Sequence, residues 1–198
     1  FNASLQALLQ TIVKKHKRVI FNGDNYTEEW HAEAEKRGLP NLKTTPEALK
    51  SLATEKAAKV FEKHAVLSRK ELASRYEIYM HNYTSVLTYE AACARRIAAT
   101  QILPAAIEYQ GLLATTVKTA AEVGAKAGVA QETLLEVSGL IDALSKGIKA
   151  IDATLEGDDG LEMKAAMEQT REAADALEMI VPADLWPLPS YAQMLFLY

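Results

Sequence analysis

The sequence predicts an all-α protein, and three observations carry that expectation. Apolar residues recur three and four apart through most of the chain, the period of a helix with one buried face. Helix starts and stops are marked by Thr, Ser, Asp, Pro and Gly at capping positions. No stretch of useful length alternates apolar with polar residues, as a half-buried strand would. The expected layout is short helices and turns over residues 1–67, a bundle of long helices over 68–184 that includes an antiparallel helical hairpin, and a docked apolar tail over 185–198.

The first helix is expected from Asn2 to Arg18, with Leu5, Leu8, Leu9, Ile12 and Val13 on one stripe. It ends in Lys14-Lys15-His16-Lys17-Arg18, cations that offset the negative end of a helix dipole. The other reading of this run, nucleic-acid binding or nuclear import, sits badly with an acidic chain. Val19-Ile20-Phe21 reads as a short buried or extended segment, turned by Asn22-Gly23. Thr27 is placed to cap a helix through Lys36 that Gly38 and Pro40 end. Thr45-Pro46 reads as a cap with proline at the first helical position, opening a run to Leu52. Thr54 opens another to about His64, with Ala57, Val60, Phe61 and His64 on one side. Ser68 and Glu71 have the spacing of a capping box, in which each side chain bonds the other's amide.

From there the pattern lengthens. Residues 69–122 hold one proline, Pro104, and one glycine, Gly111, so a long helix is expected that Pro104 kinks or breaks. Gly124 and Gly128 bracket a loop. Leu134, Val137, Ile141, Leu144, Ile148, Ile151 and Leu155 then keep a strict three-four alternation through Gly139 and Gly147. After a polar turn with Asp159 and Glu162 spaced as a second capping box, Met163, Met167, Thr170, Ala174, Leu177 and Val181 repeat it. Two such helices form an antiparallel hairpin whose natural third partner is the long helix before it. The tail 185–198 contains ten apolar residues of fourteen and no charge, which favours docking over disorder. Its expected receiving surface is the region of Phe21 and Trp30, or a neighbouring subunit.

Composition narrows the function classes. The chain has 198 residues, 49% hydrophobic and 24% charged, with a net charge of −4, an ordinary balance that disfavours nucleic acid as the main partner. No uncharged apolar run reaches the ~18 residues of a membrane span, and no secretory signal pattern opens the chain. Beginning at Phe1 rather than Met, it is expected to be processed or excised from something longer. Its single cysteine, Cys93, fits a reducing, cytoplasmic compartment and reads as a small packed residue in an alanine-rich helix, the alternative being a reactive thiol. Asn-x-Ser/Thr triplets at Asn2, Asn25 and Asn82 read as unused.

Catalytic constellations are missing. No phosphate-binding glycine loop, His-Glu-x-x-His or Cys-x-x-Cys motif occurs, and His16, His31, His64 and His81 never fall at ligand spacing with one another. His31, Glu33 and Glu35, at two-residue steps, splay around a helix and read as a solvated face. Asp152, Glu156, Asp158 and Asp159 cluster at the hairpin tip but lack the ligand order of a calcium loop. Tyr76, Tyr79 and Tyr83, with Arg75 and Tyr89 nearby, form either a ligand wall or a packing stripe with hydroxyls at its rim; packing is favoured. No catalytic, cofactor-binding or metal residue is assigned.

As strings, several segments resemble type III glutamine synthetases. Residues 18–49, running Arg-Val-Ile-Phe-Asn-Gly-Asp-Asn-Tyr-Thr-Glu-Glu-Trp-His and on to Thr-Thr-Pro-Glu-Ala-Leu, are similar to the end of that family's catalytic domain. Further likeness lies in Val66–Ile78, Ile102–Ala106, Arg171–Leu177 and Leu185–Tyr191. The family usually has glycine where Asn25 stands, and its hairpin is commonly longer than residues 128–181. The resemblance implies the C-terminal region of a cytoplasmic ligase that joins glutamate and ammonia using ATP and Mg2+, with the catalytic residues elsewhere in the parent chain. It implies as partners the remainder of the ligase chain and neighbouring subunits of a homo-oligomer, with neither nucleic acid nor membrane. The competing expectation is a free-standing helical scaffold or adaptor that binds partner helices.

Overall fold

The computed structural model describes residues 1–196; the last two residues of the tail, Leu197 and Tyr198, lie outside them. Every regular element among the described residues is helical, as the sequence predicts. The chain divides into two compact units, the first Phe1–Tyr76 and the second from Glu77 onward.

In the first unit, α1 spans Asn2–His16 and passes into a 3-10 turn, Lys17–Val19, two residues short of the expected helix end. Ile20 is extended, and the Phe21 ring stacks on Trp30 at a centroid distance of 4.4 Å. Asn25 does not take the left-handed conformation that a glycine there would suggest. Asp24 builds this turn instead: its carboxylate accepts from Tyr26 N–H at 2.9 Å, and its carbonyl accepts from the Thr27 hydroxyl at 2.9 Å. Thr27 is thereby occupied, and it stands at the N-cap of α2 (Glu28–Lys36) without a side-chain capping bond.

The cap of α3 (Thr45–Leu52) is Thr44 rather than Thr45. Thr44 Oγ1 accepts from Glu47 N–H, which places Pro46 at the second helical position, where its missing N–H is still no loss. Thr54 caps α4 (Glu55–Lys63) by accepting from Ala57 N–H. On α4 the buried residue is Ala58, while Val60 and His64 are exposed, so the expected apolar side is rotated by about one residue. Helix α4 ends in a Schellman motif with Ala65 at φ 52°, a position normally given to glycine; Ala65 N–H reaches Glu62 O and Val66 N–H reaches Phe61 O. The same motif ends α2, with Gly38 at φ 67°.

Helix α5 (Arg69–Ile97) opens on the predicted capping box. Ser68 N–H donates to Glu71 Oε2 at 2.8 Å, and Glu71 N–H donates to Ser68 Oγ at 3.3 Å. Pro104 does interrupt the long helix, but no loop forms. Lacking an amide hydrogen and crowding the carbonyl of Thr100, it is accommodated by π turns over Ala98–Ile102, where Leu103 N–H reaches back to Ala98 O. Helix α6 then runs Leu103–Glu122 and ends with Gly124 at φ 74°.

Helices α7 (Gly128–Thr154) and α8 (Gly160–Glu178) form the expected hairpin, with α6 as the third helix. Val137, Leu144, Ile151, Met163 and Leu177 are wholly buried, all of them on the predicted stripes. Asp159 caps α8 by accepting from Leu161 and Glu162 N–H, but Glu162 does not return the bond, so only half of the second capping box forms. Gly147 explains how tightly the hairpin closes: a Cβ there would lie 2.6 Å from Thr170 Oγ1 and 2.9 Å from Thr170 Cα. Gly160 likewise lets Tyr83 and Leu87 of α5 approach the start of α8. Within the second unit, Leu185, Trp186 and Leu188 of the tail pack on the core that Ile102, Leu144 and Leu177 build. After them a five-residue helix, α9 (Tyr191–Leu195), is opened by a Ser190–Gln193 capping box and leaves Tyr191, Met194 and Leu195 exposed.

Candidate functional site

The residues weighed for chemistry are dispersed by the fold. His16, His64 and His81 are exposed on different elements. His31 is half-buried, with Nδ1 shielded from solvent and 3.4 Å from Glu28 Oε1, a contact without hydrogen-bond geometry. Glu33 pairs with Arg37 at 2.6 Å instead of joining His31 and Glu35. Arg37 also lies over the Trp30 ring and donates to Ile20 O at 2.8 Å, so this group of residues ties the turn to α2.

The hairpin-tip acids are divided in the same way. Asp152 holds Arg95 of α5 in a two-pronged pair at 2.8 and 3.2 Å, which raises the Arg95 pKa. Asp159 is spent as the α8 cap, and Glu156 and Asp158 face solvent. Of the tyrosines, Tyr83 packs against Leu87, Ile151 and Met163, while Tyr79 and Tyr89 point into solvent; they make no common wall. Cys93 is exposed, not packed, because it lies on the face of α5 away from Ala91 and Ala98. Among the described residues, no three His, Cys, Asp or Glu side chains converge to hold a metal ion. Among the described residues, no helix is long and apolar enough to cross a membrane.

The strongest charge constellation is structural. Arg69, in the first turn of α5, bonds Glu55 at 2.6 and 2.8 Å and Glu62 at 3.0 and 3.1 Å, joining both ends of α4 to α5. The hydrogen bond from Arg69 holds the Glu55 carboxyl near 2, against an ordinary 4.5. The Ser68 amide lowers Glu71 in the same direction. Sequence reading missed Arg69, Arg95, Gly147 and Gly160, since each acts on a residue far along the chain that no local pattern identifies.

Two surfaces remain. In the second unit, a cavity of about 500 Å3 is floored by Ala94, Ile97, Ile102, Met167 and Leu188 and rimmed by Glu90, Arg171, Asp175 and Glu178. In the first unit, Leu5, Leu8, Leu9, Ile12 and Val13 of α1 are 40–56% exposed, and α1 buries no residue at all. Neither surface presents a nucleophile paired with a base or a set of metal ligands.

A glutamine synthetase from Butyrivibrio fibrisolvens is 27% identical over 97% of this chain, a type-3 glutamine synthetase from Dictyostelium discoideum is 32% identical over 98%, and a glutamine synthetase from Bacteroides fragilis is 27% identical over 99%. The chain spans only 29–31% of the length of these curated relatives. Their alignments run over 215–228 positions, more than the 198 residues here, so the relatives carry insertions relative to this chain. Residues 4–121 match the family described as the glutamine synthetase C-terminal domain, from α1 to the last turn of α6. On that match, which takes in more than half of its residues, the chain belongs to the glutamine synthetase C-terminal domain family.

Proposed function

We propose that this chain is a structural and assembly region of a type III glutamine synthetase, and that it is not catalytic by itself. The observation that carries the reading is the coverage: relatives named glutamine synthetases match nearly all of this chain with under a third of their own length. The parent activity is then the ATP-dependent joining of glutamate and ammonia in cytoplasmic nitrogen assimilation. The residues of this chain do not fit a binding site for ATP and Mg2+: among the described residues no three His, Cys, Asp or Glu side chains converge, and the sequence carries no phosphate-binding glycine loop. The catalytic groups belong to the remainder of the ligase.

This chain contributes a closed helical core and exposed apolar faces suited to contact with that remainder and with neighbouring subunits of a homo-oligomer. The purified 198-residue chain should form no glutamine from glutamate, ammonia, ATP and Mg2+, whereas the full-length ligase should. Turnover by the fragment, with host enzyme excluded, would overturn the non-catalytic assignment. An inactive full-length chain would overturn the ligase reading.

A further inference from the structure

We infer that Asn22-Gly23 is a site of self-modification, at which the Asn22 side-chain amide leaves as ammonia through a cyclic imide and the turn that seats Phe21 is rebuilt. The inference stands apart from the ligase reading above, since it needs only this chain and water.

The step requires the backbone nitrogen of the next residue to reach the side-chain carbonyl carbon. Gly23 N gives up its proton to solvent base and bonds to Asn22 Cγ. The Cγ–Nδ2 bond breaks, and Nδ2 leaves as ammonia with a proton from water. The five-membered ring so formed then takes up one water. Opening at the former side-chain carbonyl leaves aspartate at position 22. Opening at the backbone carbonyl leaves isoaspartate, whose main chain runs through the former side chain and is one carbon longer.

Three observations place the reaction here. Asn22 and Gly23 are exposed and lie outside every helix, so no helical ladder fixes their backbone. Among the described residues, the Gly23 N–H donates to no carbonyl and no side chain. No side chain screens the Gly23 nitrogen either: a Cβ there would lie 2.6 Å from carbons of the Phe21 ring, so the seating of Phe21 itself imposes glycine. The other four asparagines each lack one of these conditions. Beside Asn25, the Tyr26 N–H is held by the Asp24 carboxylate at 2.9 Å. Asn2 and Asn82 lie in α1 and α5, where helical backbone turns the next nitrogen away. Asn41 is followed by Leu42, whose side chain crowds the attacking atom.

The position gives the reaction a structural consequence. The Phe21 ring that covers Gly23 also stacks on Trp30 at 4.4 Å, and Arg37 lies over Trp30 while donating to Ile20 O at 2.8 Å. An extra main-chain carbon beside Phe21 moves its ring off Gly23 and loosens the stack that ties this turn to α2.

Peptide mapping of the 198-residue chain by mass spectrometry, after incubation at neutral pH, tests the inference. The peptide holding Asn22 should gain about 1 Da and separate into aspartyl and isoaspartyl forms, at least about tenfold faster than any other asparagine converts. Asn22→Gln should abolish the ammonia released, because its ring would need one more carbon, whereas Asn25→Gln should leave the release unchanged. An intact Asn22 in the folded chain, when the same chain in urea converts, would overturn the inference. So would faster conversion at Asn25 or Asn41, or undiminished ammonia from the Asn22→Gln chain. In the isolated isoaspartyl form, amides of Glu28–Lys36 should exchange about threefold or more faster than in the parent, with those of Gly160–Glu178 unchanged. Unaltered exchange in α2 would overturn the link from the turn to the stack.

Discussion

Helix α1 and the α7–α8 hairpin carry apolar stripes of the same period, but Leu8 and Ile12 stand open to solvent where Leu144 and Leu177 are wholly buried. The difference extends to the units that contain them. In the first, the buried apolar side chains among the described residues are Ala34, Ala58 and Leu72, and order comes from caps, Schellman closures, the Arg69 ties and the Phe21–Trp30–Arg37 stack. In the second, Val137, Leu144, Ile151, Met163 and Leu177 close a continuous helical interior. Periodicity thus states which face a helix must bury, and says nothing of whether the covering surface lies within the same unit. Hydrogen bonds and exposed ion pairs contribute about 1 kcal/mol or less each, whereas burying one large apolar side chain contributes about 1.5–3 kcal/mol. The first unit is well specified locally and weakly held; the second is held by its core.

Mutations should separate the two regimes. The largest effect is expected for Leu144→Ala, which empties a wholly buried position and should cost about 2–5 kcal/mol by denaturant unfolding. Leu8→Ala on α1, where no cavity can form, should change the stability of the isolated chain by less than about 1 kcal/mol. Two glycines of α7 sharpen the contrast. Gly147→Ala forces a methyl group against Thr170 and should cost about 1–3 kcal/mol. Gly139→Ala meets nothing within 4 Å and should stabilise the helix by about 0.5–1 kcal/mol. Equal effects at the two positions would contradict the close α7–α8 approach. Next, Ser68→Ala should cost about 0.5–2 kcal/mol through loss of the α5 cap, with Lys70→Ala near neutral.

The smallest effect concerns pH. The Glu55 carboxyl is depressed in the folded chain, so its pairing with Arg69 is fully present above the ordinary value of 4.5. The pairing is lost as pH falls from there toward about 2. Glu55→Gln should flatten the acid side of the stability profile in that window by slightly lowering the plateau above it, a small change because the pair is solvent-exposed, and should leave stability near pH 2 unchanged.

These contrasts mark what was legible in the sequence. The hairpin stripes were, because a three-four alternation sustained from Leu134 to Val181 admits one register. The Ser68–Glu71 box was legible because both members sit within one turn. Thr44 and Thr45 are adjacent and chemically alike, so the α3 cap was misplaced by one residue. Pro104 announced an interruption, but whether a helix breaks or widens into π turns depends on the packing of Ala98 and Ile102, which are buried. Gly147 looked like a weakness of α7; its role emerges only once Thr170 is brought opposite it. The absence of a catalytic assignment came from spacing alone, whereas Arg69 and Arg95 act through partners 14 and 57 residues away.

The claim that the second unit is held by its own core and the first by local ties is tested most directly by native-state hydrogen exchange on the 198-residue chain. The account predicts that amides of Val137–Ile151 and Met163–Leu177 open only with global unfolding, while those of Leu5–Val13 exchange close to the unfolded rate. Protection in α1 equal to that of the hairpin, independent of protein concentration, would contradict it.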